Sequence, residues 1–343
     1  MKKSRMKIAI LTPTFSHFSG IDRVAQQQAE EYSRKGNFVT VFALEASLKP
    51  KSYKLEILGM PKGPFLQRFY RLFFFLDYNK IKQTTKKLKD FDAIISHLYP
   101  MNLIASSAKK RYKVKYIYHN HGIGYANLFP SLYERVYMKL FSFFNKSSLR
   151  NVDSAISISE FLQNELKKET GLDSKVIYDK IDAKRFKKGL DGSGVRKNLG
   201  IKKNVRLLLF VGRLSPHKNI HTLLEIFDSL NQKFPNTVLL IIGKPTFSWY
   251  YKKLKRTANS NVIFLEFVGD NELPYYYSAC DLYVTASLWE GFNLPIAEAQ
   301  ACGKKVVAFD VCSHPEVVKN GILVRENDKK GFREAIVKSL KLD

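Results

Sequence analysis

The chain has 343 residues, more than one hydrophobic core usually serves, so two domains are expected. Its apolar content of 45% includes no run long enough to span a bilayer, and Cys280, Cys302 and Cys312 lack CxxC spacing. That argues against a transmembrane helix, indicates neither a zinc site nor a disulfide framework, and fits a reducing cytoplasm.

The chain then reads as strands alternating with helices. Lys7–Thr12 is an apolar run of strand length closed by Pro13. Lys2 to Arg5 precede it, but the run is too short for a secretion signal and lacks a small-residue cleavage site. Val24–Lys35 predicts a helix stopped by Gly36, and Phe38–Ala43 a strand. Lys80–Lys89 predicts an amphipathic helix; Ala93–Ser96, Tyr116–His119 and Ala155–Ser157 predict strands. Asp182–Gly200, rich in Lys, Gly and Asp and without periodicity, is the expected linker. Beyond it the rhythm restarts. Arg206–Val211, Thr237–Ile242, Val262–Leu265, Leu282–Val284 and Lys305–Phe309 predict strands. Asn219–Asn231, Leu294–Ala301 and Lys329–Lys341 predict helices. Such alternation implies parallel pairing. The expected fold is α/β: two doubly wound, Rossmann-like domains, 1–182 and 183–343, facing each other across a cleft. Ligands of such sheets bind beyond the carboxyl ends of the strands.

The stretch from Ser287 to Gly303 is the most informative. It follows an expected strand, and Gly291 lets backbone approach a ligand closely. A helix opening near Leu294, with Pro295 in its first turn, turns free N–H groups and a positive dipole end toward a diphosphate. Glu298 lies about one turn inside and can accept from ribose hydroxyls; Glu290 in the loop can meet a sugar hydroxyl. Two acids seven residues apart are a weak signal alone, and a strong one within this glycine-bearing strand–loop–helix. A second stretch, Gly212-Arg213-Leu214 to Lys218, sets two cations in a loop between strand and helix. Taken alone these are more simply solvated loop cations; at a strand end they are placed to neutralise a pyrophosphate.

Together these motifs resemble the glycosyltransferase family 4 group, which has the GT-B fold. The likeness rests on Glu290-Gly291-Phe292 to Glu298 and on Gly212-Arg213-Leu214 to Lys218. Ser157-Ile158-Ser159-Glu160, Ile177 to Asp182 before Phe186, and Pro315-Glu316-Val317-Val318 before Leu323-Val324 run in the family's order. The resemblance implies a retaining hexosyltransferase. Arg213 and Lys218 would bind donor phosphates and Glu298 the ribose; Glu290 and the backbone of Gly291, Phe292, Asn293 and Leu294 would hold the transferred sugar. Phe18-Ser19-Gly20 resembles the family's glycine loop, with Gly20 near the donor phosphate, although Ser19 stands where a glycine is usual. His121, in Tyr118-His119-Asn120-His121-Gly122, matches a His-Gly position and is the catalytic-centre candidate, with His119 its rival. Asp179-Lys180 replaces the family's usual Asn-Gly. Members often continue with a helix crossing back to the first domain, and the last helix expected here is Lys329–Lys341.

Asp90-Phe91-Asp92 imitates a metal-binding Asp-x-Asp, but precedes a strand and lies at the end of the sheet away from its carboxyl ends. No metal and no cofactor is expected; the nucleotide-sugar, UDP- or GDP-type, is a substrate. The charge bears on the acceptor. The net +26 is uneven: residues 1–150 carry 27 Lys and Arg against 9 Asp and Glu, a surplus of 18, and the rest a surplus of 8. Such a field favours a polyanion, an anionic membrane surface or a phosphorylated substrate. Arg68, Arg71, Phe73, Phe74, Lys86 and Lys87 interleave cations with aromatics, the pattern of an interfacial segment, and predict docking on an anionic membrane to reach a lipid-linked saccharide. The competing account packs Phe73–Leu76 into the core. No helix-turn-helix, RNP or zinc-finger signature accompanies the charge, so nucleic acid is not the expected partner. The alternatives are a GT-B transferase with a soluble or nucleic-acid acceptor, and a nucleotide-sugar-binding protein without turnover. The location expected is the cytoplasm, including the cytoplasmic face of a membrane.

Overall fold

The structure, a computed structural model, describes residues 5–16, 20–50 and 52–342. It divides into two units. Unit 1 comprises Met1–Ala126 and Ser131–Tyr178; unit 2 comprises Asn127–Pro130 and Asp179–Asp343.

Unit 1 holds strands β1 (Lys7–Phe15), β2 (Phe38–Ala46), β3 (Lys54–Ile57), β4 (Ala93–Ser96), β5 (Lys115–Asn120), β6 (Ser154–Ser157) and β7 (Ser174–Val176). All pair in parallel, in the order β3-β2-β1-β4-β5-β6-β7. Its helices are α1 (Gly20–Arg34), α2 (Pro64–Leu72), α3 (Tyr78–Lys87), α4 (Met101–Tyr112), α5 (Leu132–Ser148) and α6 (Glu160–Thr170). Side chains of β1 alternate between two cores: Ala9 and Leu11 pack in one cluster, Ile8 and Ile10 in another. A sheet covered on both faces needs near-continuous apolar strands, which is why these runs were visible in the sequence.

Unit 2 repeats the plan. Its strands are β8 (Arg206–Val211), β9 (Thr237–Ile242), β10 (Val262–Leu265), β11 (Leu282–Thr285), β12 (Lys305–Phe309) and β13 (Gly321–Val324), in the order β10-β9-β8-β11-β12-β13 and again all parallel. Its helices are α7 (Ser193–Asn198), α8 (Ile220–Asn231), α9 (Ser248–Thr257), α10 (Leu273–Ala279), α11 (Leu294–Ala301), α12 (His314–Val317) and α13 (Lys329–Leu340). Strand order reverses between β1 and β4 in unit 1 and between β8 and β11 in unit 2. Ligands of doubly wound sheets bind outside the carboxyl ends at such switch points.

Three expectations need correction. Pro13 does not end the first strand, which continues to Phe15. Beyond Leu11 the strand is paired only with β2, since its register with β4 stops at Leu11↔Ser96. A strand that has lost one neighbour tolerates a residue without an N–H. The first helix begins at Gly20, four residues ahead of the periodic run, because Asp22 in its first turn accepts hydrogen bonds from the Thr14 and Ser16 hydroxyls. Asp182–Gly200 is no free linker either. It carries α7, and Arg196 pairs with Asp281 at 2.7 Å and donates to the Ala279 carbonyl. A Cβ on Gly192 would stand 2.3 Å from the Ala279 nitrogen, so only glycine lets this segment lie on α10.

Candidate functional site

The carboxyl ends of β8, β9, β11 and β12 build a polar constellation in unit 2. A Cβ on Gly243 would stand 1.8 Å from the Gly212 carbonyl oxygen, so glycine there lets the loops after β8 and β9 touch. The pairing continues as Leu214 N–H donates to the Lys244 carbonyl at 2.9 Å. The loop after β8 then makes a 3₁₀ turn, Pro216–Lys218, and Asn219 turns left-handed to open α8. Lys218 Nζ donates to both carboxylate oxygens of Glu290, each at 2.6 Å. Arg213 is exposed.

Glu290 is buried and multiply held. Asn293, left-handed at φ 71° just before α11, donates from Nδ2 to Glu290 Oε1 at 3.0 Å and lies 2.9 Å from His314 Nε2. Asparagine tolerates that backbone conformation better than most residues. His314 Nδ1 lies 2.7 Å from the Phe309 carbonyl oxygen, so Nδ1 carries the hydrogen and Nε2 accepts from Asn293. Burial lowers the His314 pKa and keeps the ring neutral, as this chain of bonds requires. Ser313 Oγ donates to the Glu290 carbonyl at 3.1 Å. One turn inside α11, Glu298 is buried and accepts from the Tyr277 hydroxyl at 2.7 Å. Gly291, Phe292 and Leu294 line the same loop and helix start, Gly291 and Phe292 buried and Leu294 half-buried. His217, between the two cations, is driven neutral by burial and then by the charges of Lys218 and Arg213.

In unit 1 the carboxyl ends of β4 and β5, next to the switch point, carry three histidines. His97 follows β4, His119 lies in β5 and His121 just after it. All are buried. Their ring centroids stand 4.7 to 5.1 Å apart. His97 Nδ1 and His121 Nε2 share a hydrogen bond of 2.9 Å, and Gln28 Nε2 lies 2.6 Å from His119 Nδ1. Burial pushes all three rings toward the neutral form, His119 down to about 4. Gly20 opens α1 at the carboxyl end of β1; Phe18 and Ser19 lie outside the described residues.

The remaining sequence candidates scatter. Asp92 accepts from the Lys7 backbone N–H at 2.7 Å and Phe91 packs on Phe42, at the amino end of the sheet. Phe74 is fully buried in the core of unit 1 and offers no surface, a correction to its place among the docking residues. Phe73 packs edge-on against Phe144 of α5. Arg68 stacks on the Tyr137 ring with its guanidinium 4.6 Å from the centroid, Arg71 Nε donates to the Gln67 carbonyl, and Lys87 pairs with Glu56. Lys86 is exposed. Among the described residues, no helix is long and apolar enough to cross a membrane. His97, Gln28, Tyr277 and His314 were missed. His97 carried the signal used for His121, a polar residue at a strand's carboxyl end; the others carried none.

Two doubly wound units of this order, with both motifs meeting at the second switch point, define the GT-B class. Residues 18–185 match the family described as Glycosyltransferase Family 4 and residues 194–343 that described as Glycosyl transferases group 1. The chain belongs to the glycosyltransferase family 4 group. It is 34% identical to O-antigen chain mannosyltransferase B of Escherichia coli, over 39% of this chain and only 37% of that one. It is 25% identical to the UDP-Gal:alpha-D-GlcNAc-diphosphoundecaprenol alpha-1,3-galactosyltransferase of the same species, over 98% and 89%. Among solved structures, Anabaena Alr3699/HepE in complex with UDP and glucose matches the fold with a TM-score of 0.76, over 99% of this chain and 90% of that one, at 23% identity.

Proposed function

We propose that the protein is a retaining hexosyltransferase, using a UDP- or GDP-sugar and a lipid-linked saccharide acceptor. The observation that carries the donor half is the joined network of Lys218, Glu290, Asn293 and His314 at the N-terminus of α11. A preformed carboxylate beside a movable ammonium and free helix N–H groups suits a sugar diphosphate. Lys218 turns from Glu290 to the phosphates together with Arg213; Glu290 then meets sugar hydroxyls, and Glu298 the ribose. These cations and the helix dipole supply the charge that a metal supplies elsewhere, so transfer needs none. Substitution is front-face: the leaving diphosphate oxygen takes the acceptor hydroxyl's proton as the new bond forms on the side it leaves. His121 is the histidine proposed to serve that step. A UDP donor is supported by the UDP and glucose of the Anabaena structure, and a lipid diphosphate acceptor by the name of the galactosyltransferase relative.

Two surface features support the membrane half. Helix α2 exposes Phe65, Leu66 and Phe69, and α5 exposes Leu132, Val136, Leu140 and Phe143 at helical spacing. Those apolar rows lie in the part of the chain that carries the surplus of 18 positive charges. The location that follows is the cytoplasmic face of a membrane.

The test incubates the protein with UDP-, GDP- and ADP-sugars and a polyprenyl-diphosphate saccharide, with and without EDTA. One nucleotide class should be consumed, at equal rate in chelator, with retention at the anomeric carbon of the product. An inverted product overturns the front-face step, and loss of transfer in EDTA with recovery in Mg²⁺ overturns metal independence. Failure to consume any donor, with or without acceptor, leaves a binding protein as the better account.

A further inference from the structure

We propose that His97, His119 and His121 form a binding site for a divalent transition metal of the zinc class, and that filling it switches transfer off. The inhibitory half rests on the placement of His121 at the transfer step; the binding half does not.

Each ring offers one nitrogen within 4.8 Å of those offered by the other two. A tetrahedral ion bonded at about 2.0–2.1 Å to three imidazoles holds their ring centroids roughly 5.2 Å apart. The trio stands at 5.1, 5.1 and 4.7 Å, so ring rotations with little backbone movement bring three nitrogens to one point. His97 Nδ1 and His121 Nε2 already face each other at 2.9 Å across a shared hydrogen. An ion takes the place of that hydrogen, which moves to the far nitrogen of its own ring, and no net proton is released.

The unmet polar atoms around the trio point the same way. His97 Nε2, His119 Nε2 and Gln28 Oε1 are all buried without a hydrogen-bond partner. An ion held by the trio meets His119 Nε2 and removes that atom's desolvation cost, while His97 Nε2, on the far side of its ring from the ion, stays unpaired. Turning the Gln28 amide over lets Oε1 accept from His119 Nδ1–H and leaves the His119 Nε2 lone pair free; amide orientation is not fixed by atom positions alone. Gln28 then orients His119 as outer partners orient metal-bound histidines. An all-nitrogen donor set selects zinc, cobalt, nickel or copper over magnesium and calcium.

The deciding measurement is a Co²⁺ titration of the unaltered, chelator-stripped chain, followed by visible absorption. One equivalent should develop the intense bands of a four- or five-coordinate ion, and Zn²⁺ should displace them. His97→Gln and His119→Gln should each weaken Co²⁺ binding by more than about 100-fold, since loss of an outer partner alone costs about 10–100-fold. No band in excess Co²⁺, or a band unchanged in both variants, overturns the site. Because the first titration uses the unaltered chain, its outcome stands even if a variant misfolds. Transfer assayed in parallel should fall as Zn²⁺ fills the site and return with EDTA. A filled site with undiminished transfer removes the switch and takes His121 out of the transfer step.

Discussion

Lys218 and Glu290 lie 72 positions apart, and each is the nearest answer to the other's buried charge. Removing one leaves an uncompensated ion, while removing both leaves none. Lys218→Met and Glu290→Gln should each cost about 2–4 kcal/mol, the low side for breaking a buried pair because both side chains keep 9–15% exposure. The double variant should cost well under the sum, a coupling read from urea unfolding of the four proteins. Additive losses would mean the pair is slack and the network does not preform the site. At Glu298 the expectation is opposite in kind. Its carboxylate accepts from the Tyr277 hydroxyl, and Glu298→Gln can keep that bond while losing the charge that ribose hydroxyls meet. Nucleotide-sugar binding by calorimetry should weaken by about 1.5–3 kcal/mol with little change in unfolding. Equal affinity in the variant would remove Glu298 from the donor site. These two acids could be read in the sequence because glycine, proline and a preceding strand fixed their backbone context. Tyr277 and His314 could not, since a single tyrosine or histidine becomes a partner only when separate elements fold against one loop.

Elements were legible in proportion to how completely they are buried. Central strands such as β8, β9 and β12 are apolar over most of their length because helices cover both faces, and they stood out as unbroken runs. Of the edge strands, β3, β7 and β13 are short and half-exposed, and nothing in Lys54–Ile57 or Ser174–Val176 distinguishes them from loops, whereas β10, equally short and half-buried, was legible because Val262–Leu265 is apolar throughout. Helix α5 went unread for a related reason: its apolar residues lie on more than one side, some packed on Tyr99 and Phe73 and some open. Helix α7 is six residues with no buried side chain, and its position depends on Gly192 instead. Gly192→Ala should therefore push α7 off α10. Loss of the Arg196–Asp281 pair and the backbone contact should cost at least 1–3 kcal/mol, the usual cost of overpacking. Gly194→Ala, whose Cβ meets nothing, is the matched control and should leave thermal unfolding unchanged or raise it slightly. A variant at 192 as stable as that control would show that the close approach does not hold the segment.

At the scale of the whole molecule the charge is the feature that fold and donor site leave unexplained. A Rossmann-like unit needs no surplus of 18 positive charges, and a diphosphate site needs two or three. Each basic residue near an anionic surface contributes about 1 kcal/mol, and that attraction decays within a Debye length of about 8 Å at physiological salt. The apolar rows of α2 and α5 act without regard to salt, by burial at the interface. The two contributions can therefore be separated. Vesicles with anionic lipid should retain the protein at low salt and neutral vesicles should not. Raising salt to about 1 M, where the Debye length is about 3 Å, should release most of it. Phe65→Ser with Phe69→Ser should lower binding at every salt concentration by a similar factor, whereas Lys82, Lys86 and Lys89 changed to Ser should flatten the salt dependence. Phe65 and Phe69 are exposed but Phe69 also packs on Phe73, so unfolding of the variant is measured alongside and the vesicle result is compared at a temperature where both proteins are folded. Equal recovery in the supernatant with neutral and anionic vesicles would leave the charge to a soluble polyanionic acceptor, and transfer to a water-soluble phosphosaccharide would then exceed transfer to the lipid-linked one.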